Sequence, residues 1–147
     1  MIRRGDPADA PEVARIFRES RAEAMPWLPV LHSLDEDLAW FAKALAGESY
    51  VFEEDRRVLG FAVLREDELE SLYVAPGAHR HGVGSALFRR AQEARPDGLS
   101  WWVFRDNERA RRFYESLGAR FVYETDGRDN EEQTPDVRYE WRPERSA

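Results

Sequence analysis

The stretch His79-Arg80-His81-Gly82-Val83-Gly84-Ser85-Ala86-Leu87 sets two glycines one residue apart, where a strand-like run ends and a helix-like run begins. At such a junction backbone N–H groups point outward and the helix dipole is positive, so an anion is welcome there. Glycines remove the Cβ atoms that would hold a phosphate away from those amides. The same pair also serves a helix start that needs only unusual backbone angles. Two phosphate-binding schemes are excluded at once. The third glycine of G-x-G-x-x-G would fall at Leu87, and the preceding strand belongs to an antiparallel series instead of opening a βαβ unit. No Gly-Lys-Ser/Thr follows, so this is not a P-loop.

Upstream, residues 1–4 suit a short edge strand, and Asp6 or Asp9 caps a helix running to about Ser20 with Ala10, Val13, Ile16 and Phe17 on one face. Residues 25–32, MPWLPVLH, are apolar but broken by two prolines and read as a structured loop. Ser33 and Glu36 form a capping box for a second helix carrying Leu34, Leu38, Phe41 and Leu45 inward and stopping at Gly47. Strands over 49–53, 58–65 and 68–75 are joined by short charged turns, which demands antiparallel neighbours. Downstream, a helix over 83–94 buries Leu87, Phe88 and Ala91. The apolar run 99–104 reads as a strand covered on both faces. Asn107 caps a helix to about Leu117, closed by Gly118. Strands over 120–124 and 137–141 flank a polar loop. The order β-α-α-β-β-β-α-β-α-β-β gives an α+β sandwich: a mixed, mostly antiparallel sheet of about seven strands with about four helices.

At 147 residues the chain suits one domain, residues 1–147, with no repeat or linker. A net charge of −7 argues against nucleic acid or an anionic membrane as partner. The chain has no cysteine, so disulfides, thiolate metal sites and Cys nucleophiles are out. Three histidines, at 32, 79 and 81, give no metal site, since His79 and His81 lack a third ligand nearby in sequence. No secretory leader and no apolar run able to span a bilayer is present, and the expected location is cytoplasmic.

A second signature fixes the reading of the glycines. Asn107-Glu108-Arg109-Ala110-Arg111-Arg112-Phe113-Tyr114-Glu115-Ser116-Leu117-Gly118 spells N-x-x-A-x-x-F-Y-x-x-x-G, and Leu69, Leu72, Tyr73, Val74 and Pro76 spell L-x-x-L-Y-V-x-P. With G-x-G at this spacing, the chain resembles the GNAT superfamily of acyl-CoA-dependent N-acyltransferases, most strongly over residues 58–122. The departure lies three residues before the first glycine, where the family's Arg or Gln is His79 and an arginine follows one place late, at Arg80.

The resemblance implies acetyl-CoA as co-substrate, no metal, and direct attack of an amine on the thioester. It implies a sheet splayed between the fourth and fifth strands. Pantetheine enters there against Leu72, Tyr73 and Val74, and the pyrophosphate rests on the amides of His81, Gly82, Val83, Gly84 and Ser85, with His79 and Arg80 beside it. Asn107, Ala110 and Phe113 complete the coenzyme contacts. Tyr114 takes the position of the general acid to the departing thiolate; a phenol of pKa about 10 stays protonated beside a thiol of about 8.5. Glu70 is the base, directly or through water, with Glu68 in reserve. Strand alternation puts both on the face of Leu72 and Val74. A backbone N–H near Val74 serves the oxyanion. Trp27, Leu28 and His32 of the first interhelical loop face the acceptor, and His32 is a second candidate base. The acidic stretch 124–136, if it borders the cleft, draws a cationic amine of a small molecule or peptide. Val137, Tyr139 and Trp141 of the last strand serve a homodimer or complete the core, and the alternative to an N-acetyltransferase is an idle acyl-CoA-binding domain on the same scaffold.

Overall fold

The computed structural model describes residues 1–79 and 81–144. Arg80, a candidate phosphate contact, lies outside the described residues. Asp6 caps a 3-10 turn over Pro7–Asp9, and α1 (Ala10–Ala24) continues from it. The helix runs a turn beyond the expected Ser20, which carries Arg21, Glu23 and Ala24 to the site. Helix α2 (Leu34–Ala46) begins on the Ser33–Glu36 capping box and ends at Gly47, as its residues dictate. Leu34, expected inward, is exposed. The remaining elements are β1 (Ile2–Arg4), β2 (Ser49–Glu54), β3 (Arg57–Arg65), β4 (Glu68–Val74), α3 (Val83–Ala94), β5 (Leu99–Phe104), α4 (Glu108–Ser116), β6 (Arg120–Thr125) and β7 (Asp136–Trp141).

The strands form one sheet in the order β1-β2-β3-β4-β5-β7-β6. Every neighbouring pair is antiparallel except β4 and β5, which are parallel. Helices α1 and α2 cover one face, where Val13, Ile16, Phe41 and Leu45 meet Val51, Phe61 and Val63. Helices α3 and α4 cover the other, where Leu87, Phe88 and Tyr114 meet Ala62, Leu64, Trp101 and Tyr139. Val137 and Tyr139 are fully buried, so they complete this core and are not free for a second subunit.

Two features of the sheet shape the site. First, β4 and β5 share a single rung, Glu68 opposite Ser100, and diverge beyond it. The peptide edges of β4 past that rung face a gap. Second, β4 carries a bulge: Val63 pairs with Ser71 and Leu64 with Leu69, so Glu70 has no partner. One extra residue reverses the phase of alternation. Leu69 therefore joins Leu72 and Val74 in the core beneath α3, and Glu70 is exposed. This overturns the expectation that Glu68, Glu70, Leu72 and Val74 share a face. The run of β5 is likewise not covered on both sides. Leu99, Trp101 and Val103 are buried, whereas Trp102 is exposed because a groove, not a helix, lies over that face.

Candidate functional site

The glycines come first. Gly82 has φ 73°, the left-handed region that a Cβ disfavours, and open space surrounds the place a Cβ would occupy. A Cβ on Gly84 would sit 3.1 Å from Phe113 Cζ and 3.4 Å from Val74 Cγ2. The pair therefore divides its labour: Gly82 permits the turn, and Gly84 lets α3 close against α4 and β4. No side chain caps α3, whereas Ser33 caps α2 and Asn107 caps α4. The first-turn amides of Val83, Gly84 and Ser85 are left for a ligand. His79 and His81 precede this turn, and both are exposed. Desolvation and the nearby Arg109 guanidinium push the His79 imidazole below its usual range.

From that helix end a cavity of about 440 Å3 runs between α1 and α4 along β4, lined by Ser20, Tyr73, Val74, His79, Ser85 and Phe113 among others. The Ala75 N–H donates to the Leu59 carbonyl at 2.8 Å, which binds that peptide to β3. Alternation in an antiparallel ladder turns the N–H and C=O of Val74, and of Leu72, the other way, into the gap. The Val74 carbonyl is met there by the buried Ser20 hydroxyl, which donates at 2.7 Å.

A second cavity, about 640 Å3, opens between β4 and β5 toward the β6–β7 loop. The two cavities share Met25, Leu72, Tyr73, Asn107, Ala110 and Tyr114. Their junction is the place where a coenzyme arm from one side can meet an acceptor from the other. Tyr114 is buried there, 7% exposed, and its phenol makes no hydrogen bond among the described residues. Burial, with a further push from nearby Tyr73, raises it well above the usual phenol range and keeps it neutral at any working pH. Phe113 packs edge-on to Tyr114 and against Gly84. Asn107 Oδ1 accepts the Ala110 N–H at 3.3 Å, so the cap occupies its oxygen and leaves its amide NH2 for a ligand.

The larger cavity is acidic. Glu70, Asp129, Glu132 and Asp136 line it, with Arg21 as the facing cation. Arg21 donates to the Tyr73 hydroxyl at 3.2 Å and to Glu132 at 3.3 Å. Asp136 is held by Asn130 at 3.2 Å and by the Thr125 hydroxyl. Among the described residues Glu70 has no ion-pair partner and stands free on its bulge. Glu68 does not: it is gripped by Arg138 at 2.6 Å beside the closed rung. His32 does not line this cavity; it sits in neighbouring ones between Glu36 and Glu131, and those two carboxylates raise its pKa, Glu36 foremost. Trp27 and Leu28 fall away from the junction; Leu28 is buried in a neighbouring cavity beneath the proline-broken loop, and Met25 takes the place expected of them. Three site residues escaped the sequence reading. Ser20 was the expected last residue of α1 and Arg21 lay past it, and Trp101 looked like one more apolar residue of a strand. Among the described residues no group of three metal-ligating side chains occurs, and no helix is long and apolar enough to cross a membrane.

Comparison with known proteins shows the family and the fold. The model of the acetyltransferase (GNAT) family matches residues 12–119. The peptidyl-lysine N-acetyltransferase YiaC of Escherichia coli is 31% identical over 124 residues, which span 83% of this chain and 84% of that protein. A GCN5-related N-acetyltransferase from Rhodopseudomonas palustris superposes with a TM-score of 0.81 at 22% identity, covering 97% of this chain and 95% of that one. The yncA protein of Salmonella typhimurium, solved with its cofactor acetyl-CoA, gives a TM-score of 0.70 at 21% identity, with 100% and 96% covered. At these identities the two structures share the fold.

Proposed function

Since this chain belongs to the GNAT family and is an N-acetyltransferase, we propose that it transfers the acetyl group of acetyl-CoA directly to the primary amine of a cationic acceptor, either a lysine side chain in a peptide or a small polyamine. The pyrophosphate rests on the uncapped amides of Val83, Gly84 and Ser85, with His79 and His81 beside them. Pantetheine pairs with the exposed peptide edge of Leu72 and Val74, where Ser20 already holds one carbonyl. Ala110, Phe113 and the Asn107 amide flank it.

Glu70 takes a proton from the acceptor ammonium, directly or through water. The neutral amine adds to the thioester carbonyl, and the gap-facing N–H of Leu72, at the junction of the two cavities, stabilises the oxyanion from the β4 side. As the C–S bond breaks, the Tyr114 O–H donates to the leaving sulfur and coenzyme A departs as the thiol. The observation that carries this reading is the gap beside the lone β4–β5 rung, where two cavities meet at an unpaired buried phenol. Excess carboxylate in the acceptor cavity supports a cationic amine, and YiaC, by its name, acts on peptidyl lysine.

The test is thiol release from acetyl-CoA with a lysine peptide, a linear polyamine and an acidic amino acid, using Tyr114→Phe as control. Release with the two cations, much reduced in the control, is expected. Coenzyme binding without release for any amine leaves only the idle binding domain, and release with the acidic amino acid alone overturns the acceptor class.

A further inference from the structure

The closed end of the gap is built from both strands and locked. The Ser100 N–H donates to the Asp67 carbonyl at 3.1 Å, and Arg138 clamps Glu68 at 2.6 Å and the Ser100 hydroxyl at 2.7 Å. One residue past the rung on each strand stand Leu69 and Trp101, 3% and 1% exposed, both lining the larger cavity. The uncapped start of α3 lies at the other end of β4, with Gly84 against Val74. A coenzyme anchored there and extended along β4 therefore leads with its acyl group toward Leu69 and Trp101.

Trp101 has no room to retreat. Its ring packs at 5.3 Å against Phe88, 4.9 Å against Tyr114 and 6.4 Å against Tyr139, centroid to centroid. Its Nε1 is fully buried and has no hydrogen-bond partner among the described residues. A buried N–H left unpaired is costly, and this one belongs to a residue that lines the larger cavity, where a ligand's acceptor atom can satisfy it. The leading end of an acyl-CoA brings one strong acceptor of that kind, the acyl carbonyl oxygen.

We propose that Trp101 selects the acyl group: its ring is the end wall of the acyl subsite, sized for acetyl, and its indole N–H donates to the acyl oxygen. The inference rests on the acyl-CoA reading above and names the residue that sets donor specificity. A rigid wall rejects longer chains because each added methylene has nowhere to go.

Trp101→Phe keeps an aromatic wall and removes the N–H, with its ligand-free melting temperature as the fold control. The expected result is loss of most of the extra thermal shift that acetyl-CoA gives over CoA, with kcat/KM for acetyl-CoA down about three- to tenfold. Trp101→Leu shortens the wall and raises kcat/KM for butyryl-CoA relative to acetyl-CoA by about tenfold or more. Leu69→Ala widens the same end from the opposite strand and moves the ratio the same way, should Trp101→Leu not fold. A butyryl-to-acetyl ratio unchanged in folded variants, or an intact preference for acetyl-CoA over CoA in Trp101→Phe, overturns the proposal. A wild-type protein that no coenzyme stabilises is a different result, and strikes the acyl-CoA reading itself.

Discussion

Tyr114 shows how a single side chain acquires a role from its surroundings. Its ring belongs to the core, packed against Phe88 and Trp101, while its hydroxyl stands where the two cavities meet. Replacing it by Phe keeps the packing and removes the proposed proton donor. Steady-state kinetics of Tyr114→Phe should show kcat down about 100-fold or more with KM for acetyl-CoA nearly unchanged. Because burial holds the phenol above its usual range, the basic limb of the wild-type pH–rate profile does not come from Tyr114 up to about pH 10. Gly84→Ala tests the neighbouring contact: a Cβ 3.1 Å from Phe113 Cζ forces the ring toward the coenzyme cavity, so KM for acetyl-CoA should rise while kcat changes little. The residues that carry a motif were legible in the sequence, since G-x-G and N-x-x-A-x-x-F-Y have fixed local spacing. Ser20 and Trp101 were not, because what they do depends on which strand lies opposite, and no local pattern encodes that.

The bulge in β4 is the element-level counterpart. Sequence alternation assigned Glu68 and Glu70 to one face with Leu72, and a single unpaired residue undid that phase. An inserted residue has no signature of its own in a run such as Glu68-Leu69-Glu70-Ser71-Leu72. Helix caps fared better, because Ser33, Glu36 and Asn107 act within one turn. The contact between α1 and β4 makes its own prediction. Ser20→Ala leaves the Val74 carbonyl buried and unpaired, costing about 1–2 kcal/mol, which a thermal melt should record as a drop of several degrees. The β6–β7 loop is held over the first interhelical loop by Glu131 and Glu132, which reach His32 and Arg21. His32 faces Glu36 of α2 and Glu131 of the loop, and Arg18 donates to its backbone carbonyl. Its folded pKa is raised, so the stability it lends is complete below about pH 6.5 and fades as pH climbs through the higher folded value. Melting temperatures measured across that window should fall with rising pH in the wild type and vary less in His32→Gln.

For the molecule as a whole, the element order and mixed sheet followed from connection lengths and hydrophobic periodicity. The gap between β4 and β5 did not: it was expected from the family resemblance alone, because an absence of pairing has no local pattern of its own. Charge is organised at this scale too. A chain of net charge −7 places carboxylates along the larger cavity, a field that on the proposed reading draws a cationic acceptor in from solution. Raising ionic strength from about 0.01 to about 0.5 M should lower kcat/KM for the lysine peptide several-fold through KM while leaving a neutral amine unaffected. The lone rung has one more consequence. The sheet has an edge in its own middle, and the Leu72 and Val74 amides there exchange their hydrogens with solvent readily until a coenzyme arm takes the place of the missing neighbour. Deuterium uptake at those two peptides thus reports occupancy of the slot, independently of whether any acetyl group moves.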